Sequence, residues 1–438
     1  MRLEAMGRKM KDSGIEWIGE IPSDWDVFKI KYGVVKVGSG KTPRGGADIY
    51  ADSGVLFLRS QNIYDVGVVT ESPIFITEKI DEEMKNTRVL PNDVLLNITG
   101  GSIGRCCIFP ENLGKANVNQ HVSIIRVNSE IFTAEYMHYF WICTLGKNAI
   151  GLYQTGGNRE GMSAEAIKNT DIPMISIVEQ KKITNYLDKK CTEIDTVINK
   201  TRISIEEYKK LKQAIITEAV TKGVRGKRPM KDSGIDWVKQ IPLEWQILRG
   251  KNLFIETNEC SNSGTEELLT VSHITGVTLR SEKNVNMFLA ESLVGYKICR
   301  VGDIAANTMW MWQGAVGVSK DYGVISPSYN TYRQIKNAYC SAYLDYLLRA
   351  KPLVETYAAY STGITSSRLR LYPGAFLNIK FIVPPIDEQK EIADYLEKKC
   401  IEIDRLIVKK EELLAELTTC KKSLIYEYVT GKKEAPAV

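Results

Sequence analysis

The residues of this chain that could do chemistry are polar side chains in loops, and they do not form a recognisable catalytic motif. The sequence contains no HExxH metal-binding helix, no GxSxG nucleophile turn and no CxxC pair. With only His121, His138 and His273 present, a zinc site made of cysteine and histidine is not expected. We therefore predict no catalytic residue, no cofactor bound by this chain and no metal site.

Two segments come close to known motifs without matching them. Residues 38–42 read Gly-Ser-Gly-Lys-Thr, but a phosphate-binding loop needs glycine five residues before its Gly-Lys pair, where Val35 stands. Residues 383–386 read Val-Pro-Pro-Ile and lack the polar first residue and the aromatic last residue of a base-methyltransferase loop. Two roles stay open for the first segment: a loop beside a polynucleotide backbone, with Lys41 and Arg44 contacting phosphates, or an ordinary solvated turn.

The other candidates are polar residues in Gly- and Asn-rich loops. Arg can form two hydrogen bonds with guanine, and Asn or Gln can form two with adenine, in the major groove of DNA. For any one of these residues the alternative role is to brace its own loop. The candidates in the N-terminal half are Arg59, Gln61, Asn62, Arg105, Asn117, Asn119, Gln120, Asn158 and Arg159. Those in the C-terminal half are His273, Asn307, Gln313, Asn330, Ser366, Ser367, Arg368 and Arg370, while Trp310 and Trp312 are expected to pack rather than to stack on bases.

Composition limits the class of protein. A chain of 438 residues is too long for one core and suggests two to four domains. Its 58 basic and 53 acidic residues give a net charge of +5, which is not the strongly basic balance of a free-standing nucleic-acid binder. No membrane span or signal peptide is expected, because no run of 18 apolar residues occurs. Nine cysteines without a CxxC pair favour a reducing cytoplasm over a disulfide framework.

The elements that position these loops are revealed by an internal duplication. Residues 10–25 return at 230–245 with ten of sixteen positions identical. Residues 179–200 return at 388–409 with fourteen of twenty-two identical. The matched blocks enclose two inserts that barely match each other, at about 26–178 and 246–387. The chain therefore keeps a constant frame around two diverged inserts.

The longer repeat predicts a pair of long helices. Apolar residues recur every three or four positions from Ile183 to Ala219, and neither Gly nor Pro occurs between Gln180 and Thr221. A continuous helix of 42 residues, about 63 Å long, is expected to stop at Gly223. The second copy has the same pattern and is expected to end at Gly431. A one-sided apolar stripe needs a partner, and a twofold-like duplication places the two helices antiparallel.

The inserts and the shorter repeat have their own predictions. Both inserts read as mixed α/β, with predicted strands at 55–58, 94–98 and 122–125 and predicted helices at 134–141 and 341–348. Faint matches of 92–97 with 302–307, and of 102–104 with 315–317, suggest diverged copies of one fold. The shorter repeat ends in Ile-Pro-x-x-Trp and is expected to dock where a helix meets an insert, with its first copy near Gly431.

Together these features resemble the specificity subunit of type I restriction-modification enzymes. The motifs that carry the resemblance are the duplicated helix starts, EQK-I-x-x-YL-x-KK-C-x-EID, and the paired blocks G-I-x-W…IP-x-x-W. The helix ends at 218–223 and 427–432 also belong to it, and segments 38–43 and 312–329 look like two subtypes of that family's target-recognition domains. One departure is that the pair Pro384-Pro385 before the second helix is Ile175-Ser176 before the first.

The resemblance implies a mixed α/β chain with pseudo-twofold duplication, in which two long antiparallel coiled-coil helices separate two globular target-recognition domains. The implied division is a first recognition domain at 1–178 with its docking segment 10–25, a long helix at 179–224, a second recognition domain at 225–387 with docking segment 230–245, and a second long helix at 388–438.

The resemblance also implies a function without catalysis by the chain itself. Each recognition domain would read one half of a split double-stranded DNA target, and the helices would set the spacer. Two methyltransferase subunits would dock and methylate adenine with S-adenosylmethionine, and restriction subunits would join the full complex. Two alternatives stay open: a coiled-coil adaptor that binds only protein, and a DNA-modifying enzyme with an undetected catalytic site of its own.

Overall fold

The computed structural model describes residues 8–43, 45, 49–153, 161–282, 292–364 and 369–436. Two compact units divide the chain. Unit 1 comprises Met1–Thr201 and Glu412–Val438, and unit 2 comprises Arg202–Glu411. Unit 2 is therefore continuous in sequence, whereas unit 1 is assembled from two distant segments. The four-part division expected from the resemblance stays a prediction.

Fourteen strands are described in unit 1. They are β1 (Met10–Asp12), β2 (Glu20–Pro22), β3 (Asp26–Lys29), β4 (Val34–Ser39), β5 (Val55–Leu58), β6 (Ile63–Tyr64), β7 (Gly67–Val68), β8 (Phe75–Ile76), β9 (Arg88–Val89), β10 (Val94–Asn97), β11 (Cys106–Ile108), β12 (Ala116–Val118), β13 (Val122–Val127) and β14 (Asp171–Met174). One antiparallel sheet has the order β11-β10-β13-β4, and a second sheet has the order β8-β5-β12-β9. Smaller pairs are β1-β2, β3-β14 and β6-β7.

Twelve further strands are described in unit 2. They are β15 (Met230–Ile235), β16 (Val238–Pro242), β17 (Gln246–Arg249), β18 (Phe254–Thr257), β19 (Leu269–Ser272), β20 (Gly276–Leu279), β21 (Lys297–Cys299), β22 (Ile304–Ala306), β23 (Val316–Val318), β24 (Gly323–Ile325), β25 (Asn330–Gln334) and β26 (Lys380–Val383). The main sheet has the order β18-β25-β22-β23. The main sheet of unit 1 has the corresponding order β4-β13-β10-β11, so the two inserts have the same sheet topology.

The described helices are α1 (Glu78–Glu83), α2 (Ala134–Ile142), α3 (Thr144–Tyr153), α4 (Ala164–Asn169), α5 (Ile177–Lys222), α6 (Ser341–Leu348), α7 (Lys351–Tyr360), α8 (Pro373–Asn378) and α9 (Ile386–Val429). The prediction of a mixed α/β fold with two long helices is confirmed, since α5 has 46 residues and α9 has 44. Both end at a glycine with positive φ, Gly223 and Gly431, as the sequence predicted. Among the described helices, none is long and apolar enough to span a bilayer.

The register of the main sheets corrects one sequence match. In unit 1 Leu96 pairs with Cys106, and in unit 2 Ala306 pairs with Val316, so the hairpins β10-β11 and β22-β23 are related by an offset of 210 residues. This agrees with the match of 92–97 to 302–307. The match of 102–104 to 315–317 is wrong, because the register places Gly104 level with Gly314. Residues 102–104 (Ser-Ile-Gly) and 315–317 (Ala-Val-Gly) have side chains of similar size, but they do not occupy equivalent positions.

The long helices pack antiparallel within each unit. In unit 1 Tyr186 of α5 packs on Tyr428 of α9, with ring centroids 4.7 Å apart, and Asp195 pairs with Lys421 at 2.7 Å. Residue numbers therefore rise along α5 as they fall along α9. In unit 2 the Nζ of Lys212 lies 2.7 Å from Asp404, which is the same ion pair with the roles of the two helices exchanged.

The shorter repeat forms a docking hairpin in each unit. In unit 1 this is β1-β2, and a Cβ atom at Gly431 would lie 2.4 Å from Pro22, so the hairpin closes on the end of α9 as predicted. Arg8 stacks over the buried Trp25, 4.9 Å from its ring centroid, and pairs with Glu179 at the start of α5. Nε2 of Gln180 donates to the Ile131 carbonyl at 2.8 Å, so the same helix start also contacts the insert.

In unit 2 the hairpin is β15-β16, and it repeats these contacts. Arg228 pairs with the buried Glu388, whose other oxygen accepts a hydrogen bond from Nε1 of Trp245 at 2.9 Å. The helix α5 begins at the expected place although Ile175-Ser176 replaces the proline pair that precedes α9. Ser176 there accepts a hydrogen bond from the Glu179 N–H at 3.2 Å, and α5 and α9 begin at equivalent positions.

Candidate nucleic-acid interface

In unit 1 the loops that carry the predicted DNA contacts meet at one end of the two sheets. The strands β5 and β12 are parallel and end together, and the Asn119 N–H donates to the Leu58 carbonyl at 3.0 Å. The Ile98 N–H donates to the His121 carbonyl, and the Gly40 N–H donates to the Val122 carbonyl, each at 3.0 Å. The loops after β4, β5, β10 and β12 thus form one cluster, which we call loop cluster 1.

The loop after β5 divides its polar residues between bracing and display. Asn62 is buried, with its Oδ1 accepting the Arg59 N–H at 2.9 Å and its Nδ2 donating to the Val69 carbonyl at 2.8 Å. Its amide is therefore used within the loop. Gln61 is exposed, and the Nε of Arg59 is buried without a hydrogen-bond partner among the described residues. Gln61 and Arg59 are the side chains that this loop leaves available.

The loop after β10 displays Arg105. Its guanidinium lies over the ring of Tyr64, 4.6 Å from the centroid, which holds the side chain at the surface. The Arg105 carbonyl accepts the Asn97 N–H at 2.8 Å, and Nδ2 of Asn97 donates to the Ser60 carbonyl at 2.8 Å. Asn97 therefore ties the Arg105 loop to the loop after β5. The sequence indicated this residue only through its match with Asn307.

The turn between β12 and β13 is built around two residues that brace it. Asn119 is buried, and its Oδ1 accepts the His121 N–H at 3.1 Å. The Nδ1 of His121 lies 2.6 Å from Oγ1 of Thr99, and its Nε2 lies 3.3 Å from Nε2 of Gln120. Gln120 is exposed. His121 joins two loops of the cluster, a role that sequence reasoning missed because a lone histidine in a loop carries no pattern.

The remaining N-terminal candidates lie at the margins or outside the described residues. Lys41 is exposed beside the cluster, where its N–H donates to the Val118 carbonyl at 3.1 Å. Asn117 is buried in β12, where its Nδ2 donates to Asp81 at 3.0 Å, so it braces the second sheet. Arg44, Asn158 and Arg159 fall outside the described residues.

In unit 2 an equivalent loop follows β22. The N–H of the buried Asn307 donates to the Ala315 carbonyl at 2.9 Å, as the N–H of Asn97 does to Arg105. The Asn307 side chain donates to the Tyr329 hydroxyl at 2.9 Å and accepts the Met309 N–H at 3.2 Å. Because both ends of its amide are engaged, Asn307 shapes the loop. We call this loop, residues 307–315, together with Asn330 and Arg370, loop cluster 2.

Three further candidates belong to loop cluster 2. Gln313 is exposed, and Asn330 is buried with its Nδ2 3.5 Å from Oγ1 of Thr308. Arg370 is exposed and forms a bridge with Thr362, and the following N–H, of Leu371, donates to the Thr308 carbonyl at 3.4 Å. Arg370 is therefore next to the Asn307 loop. Ser366, Ser367 and Arg368 lie outside the described residues.

The structure does not bring His273 to this cluster. It is exposed in the β19-β20 turn and lines a cavity of about 340 Å³ with Arg349 and the ion-paired Lys212 and Asp404 of the long helices.

Arg280 follows β20, at the other end of this hairpin, and sequence reasoning did not include it among the candidate residues. Burial raises the pKa of the Tyr329 hydroxyl, while the hydrogen bond from Asn307 and the charge of Arg280 oppose this shift.

An ion pair lies at the opposite end of each main sheet from the loop cluster. In unit 1 the buried Asp93 accepts two hydrogen bonds from Arg126, both at 2.7 Å, and these raise the pKa of the guanidinium. In unit 2 Asp303 and Arg333 repeat the geometry at 2.8 Å. Within the described ranges, no group of three or more His, Cys, Asp or Glu residues is placed to hold a metal ion. The arrangement offers hydrogen-bonding loops on a braced frame.

Comparisons with known proteins agree with this arrangement. Residues 22–207 match the model of the type I restriction modification DNA specificity domain. A chain from Methanocaldococcus jannaschii named as the type I restriction enzyme MjaVIII specificity subunit is 23% identical, with 94% of this chain and 93% of that chain covered. The specificity subunit of the Escherichia coli enzyme EcoBI is 25% identical over 45% of this chain and 42% of that chain.

Solved structures show the same fold. The HsdS subunit from Thermoanaerobacter tengcongensis aligns with a TM-score of 0.53 at 15% identity, covering 94% of this chain and 98% of that chain. A chain from a type I R-M system, solved to explain complex assembly and conformational transition, aligns with a TM-score of 0.70 at 15% identity, covering 94% and 99%. Residues 22–207 thus form a DNA specificity domain of the type I restriction-modification kind. The resemblance of the chain to the specificity subunits of that family, predicted from its sequence, is confirmed.

Proposed function

We propose that loop cluster 1 and loop cluster 2 each read one half of a bipartite DNA target. The proposal rests on one observation: the two units have the same sheet and the same backbone contacts, but different side chains in the exposed loops. Asn97 and Asn307 occupy equivalent places and make the same backbone contact, yet the register puts Arg105 level with Ala315. Two surfaces of one shape and different chemistry would read two different half-sites, so the target is asymmetric.

The side chains define what each cluster can read. In cluster 1 Arg59, Gln61, Arg105 and Gln120 supply guanidinium and amide groups, the types that pair with guanine and adenine edges. Cluster 2 offers Gln313 and Arg370 beside a more apolar loop. Asn62, Asn119, Asn307 and Asn330 brace their loops, and we propose that they set loop shape rather than contact bases.

The long helices would set the spacer and receive partner subunits. They carry apolar side chains that remain exposed within each unit, including Val197 and Ile203 on α5 and Val408 and Leu413 on α9. Exposed apolar residues on such helices suit contact with further proteins. We propose that two methyltransferase subunits dock there and, with restriction subunits in the full complex, supply all catalysis. The partners would also supply much of the phosphate contact, because the chain itself has a net charge of only +5.

Methylation mapping tests the proposal. Cells that carry this chain with its partner subunits should methylate adenine in a two-part asymmetric motif, with half-sites about one helical turn apart from centre to centre. A single undivided motif would contradict two separate readers. Absence of DNA binding by the reconstituted complex would favour a protein-only adaptor, and methylation by the chain alone with S-adenosylmethionine would favour an enzyme. The nine cysteines support a reducing compartment such as the cytoplasm.

A second experiment tests the spacer. One additional helical turn inserted near Lys200 in α5, with a compensating turn in α9, should lengthen the unspecified gap of the mapped motif. Both half-sites should remain unchanged, because the loops that read them are not altered. A changed half-site would show that the helices themselves contact bases.

A further inference from the structure

The loop of cluster 2 presents an aromatic surface that the sequence did not predict. Trp310 was expected to pack, but it is 48% exposed, and its neighbour Met309 is 39% exposed. The sheet register places Trp310 level with Gly100 in unit 1, where the backbone has a φ of +69°. The equivalent position therefore has no side chain in unit 1 and carries an indole in unit 2.

The loop is built so that this indole is held outward. The Trp310 N–H donates to the Asn307 carbonyl at 3.0 Å, and the Gln313 N–H donates to the Trp310 carbonyl at 2.9 Å. Nε1 of Trp312 donates to the Met309 carbonyl at 3.0 Å. The turn closes at Gly314, whose φ is +90°. A backbone fixed at so many points gives Trp310 a defined position despite its exposure.

Trp312 packs against the exposed ring of Trp310. The two indoles are nearly parallel, at 16°, with centroids 6.3 Å apart, which is an offset stack. Trp312 is half-buried and anchors the pair, so a planar group arriving from solvent would extend an existing stack. Exposed Gln313 and Arg370 lie in the same cluster and offer polar and cationic groups suited to bases and phosphates.

We propose that Trp310 stacks on a nucleobase of the half-site read by loop cluster 2. The proposal rests on the proposed function and adds a DNA-contacting residue to it. Aromatic side chains provide stacking platforms for bases whose faces are exposed, and a duplex exposes base faces where a side chain opens a step. The half-site read by cluster 2 is therefore opened at one step, whereas cluster 1 has glycine at the equivalent position and no such ring there.

The test uses the complex reconstituted with its methyltransferase subunits and a duplex carrying the mapped target. Trp310→Ala should weaken equilibrium binding by about 5- to 140-fold, the range for losing one base–aromatic stack. Trp310→Phe should retain most of the affinity, because a smaller ring still stacks. Tyr322→Ala is the matched control, since Tyr322 is 50% exposed in the turn between β23 and β24, at the opposite end of β23. It should bind as the unmodified protein does.

A scan of abasic duplexes locates the stacked base. At one position of this half-site, removing the base should abolish the difference between Trp310→Ala and the unmodified protein. Equal binding by both proteins on the intact duplex would overturn the proposal. So would loss of the difference on replacing one thymine by uracil, which would mean that the ring contacts a methyl group. If the unmodified complex fails to recognise any bipartite target, the proposed function fails as well; in the other cases it stands.

Discussion

Loop cluster 1 and loop cluster 2 differ most where they are most exposed and least where they are buried. At the opposite end of each main sheet, Asp93 with Arg126 and Asp303 with Arg333 form the same two hydrogen bonds within 0.1 Å. At the tips, Arg105 over Tyr64 stands in one unit, and Trp310 against Trp312 stands in the other. A buried charge without its partner costs several kcal/mol, whereas an exposed tip can change at little cost to folding.

The comparison teaches that recognition and stability are separated in space. Asn97 and Asn307 mark the boundary, because each joins the exposed loop to the buried strand before it. Changes in the buried frame should act on the free energy of unfolding. Changes in the exposed loops should act on one half-site only.

The largest expected effect comes from removing the aspartate of a buried ion pair. Asp93→Ala leaves Arg126 without its carboxylate and the Leu90 N–H without its acceptor at 2.7 Å, so we expect a loss of about 3 to 5 kcal/mol in the free energy of unfolding. Asp303→Ala should cost less, about 2 kcal/mol, because Arg333 keeps Glu259 at 2.9 Å. Denaturant unfolding of both variants measures the difference. The reverse order would show that Glu259 does not compensate for the loss of Asp303.

The next effect concerns α2 and α6, where His138 and Asp345 occupy matching positions. Burial, with a further contribution from Lys421, lowers the pKa of His138 from 6.5 to about 4. The unfolded state therefore binds more protons between these values, so stability falls as pH falls from about 6.5 toward 4 and is constant below. At pH 4.5 the loss attributable to His138 should be about 2 to 3 kcal/mol.

Denaturant unfolding of His138→Met at pH 7 and pH 4.5 measures this loss. The variant should be less sensitive to acid than the unmodified protein by that amount. His273→Asn is the matched control, a histidine substitution at an exposed position of the β19-β20 turn. An unaltered acid response of His138→Met would mean that His138 is protonated in the folded state.

A smaller effect is expected at the tip of cluster 1. Arg105→Ala makes this position like Ala315 and should reduce binding of the first half-site by about 5- to 140-fold, with relaxed selectivity at one base. Affinity measurements with single-base variants of the mapped target check this. Lys115→Ala removes an equal charge from an exposed site at the opposite end of β12 and should leave selectivity unchanged. Relaxation spread over both half-sites would contradict separate readers.

The smallest effect is expected where α5 and α9 form their duplicated ion pair. Lys421→Ala should cost about 0.5 to 1 kcal/mol of unfolding free energy, and Lys212→Ala less, because Asp404 is more exposed than Asp195. Lys421→Ala should also raise the pKa of His138, since that lysine lowers it. Denaturant unfolding and NMR titration of His138 provide the two readings. A larger effect in unit 2 would contradict the ranking by exposure.

Much of the frame could be predicted from the sequence, and the reason is periodicity. The helices α5 and α9 follow from apolar residues at steps of three and four without Gly or Pro, and β5, β10 and β13 follow from short apolar runs. The loop roles could not be predicted in the same way. Asn62 and Asn307 have the composition of base readers, yet their amides are engaged by neighbouring backbone and by Tyr329.

The exposed tip of cluster 2 shows the same limit from the other direction. Tryptophan is usually buried, so composition favours packing for Trp310. Only the turn formed by Asn307 and Gly314 shows that the indole faces solvent. The register error at 102–104 has a related cause, because small residues in loops carry no period with which to align them.

The discontinuity of unit 1 has a consequence for synthesis. Unit 2 has all its residues once the ribosome has passed Glu411. Unit 1 still lacks Ile425, Tyr428 and Val429, which belong to its core, and Gly431, on which its first hairpin closes. Because domains fold as their residues emerge, the half of the protein made second is finished first. The earlier half, with its core still open, depends on the last segment of the chain to complete it.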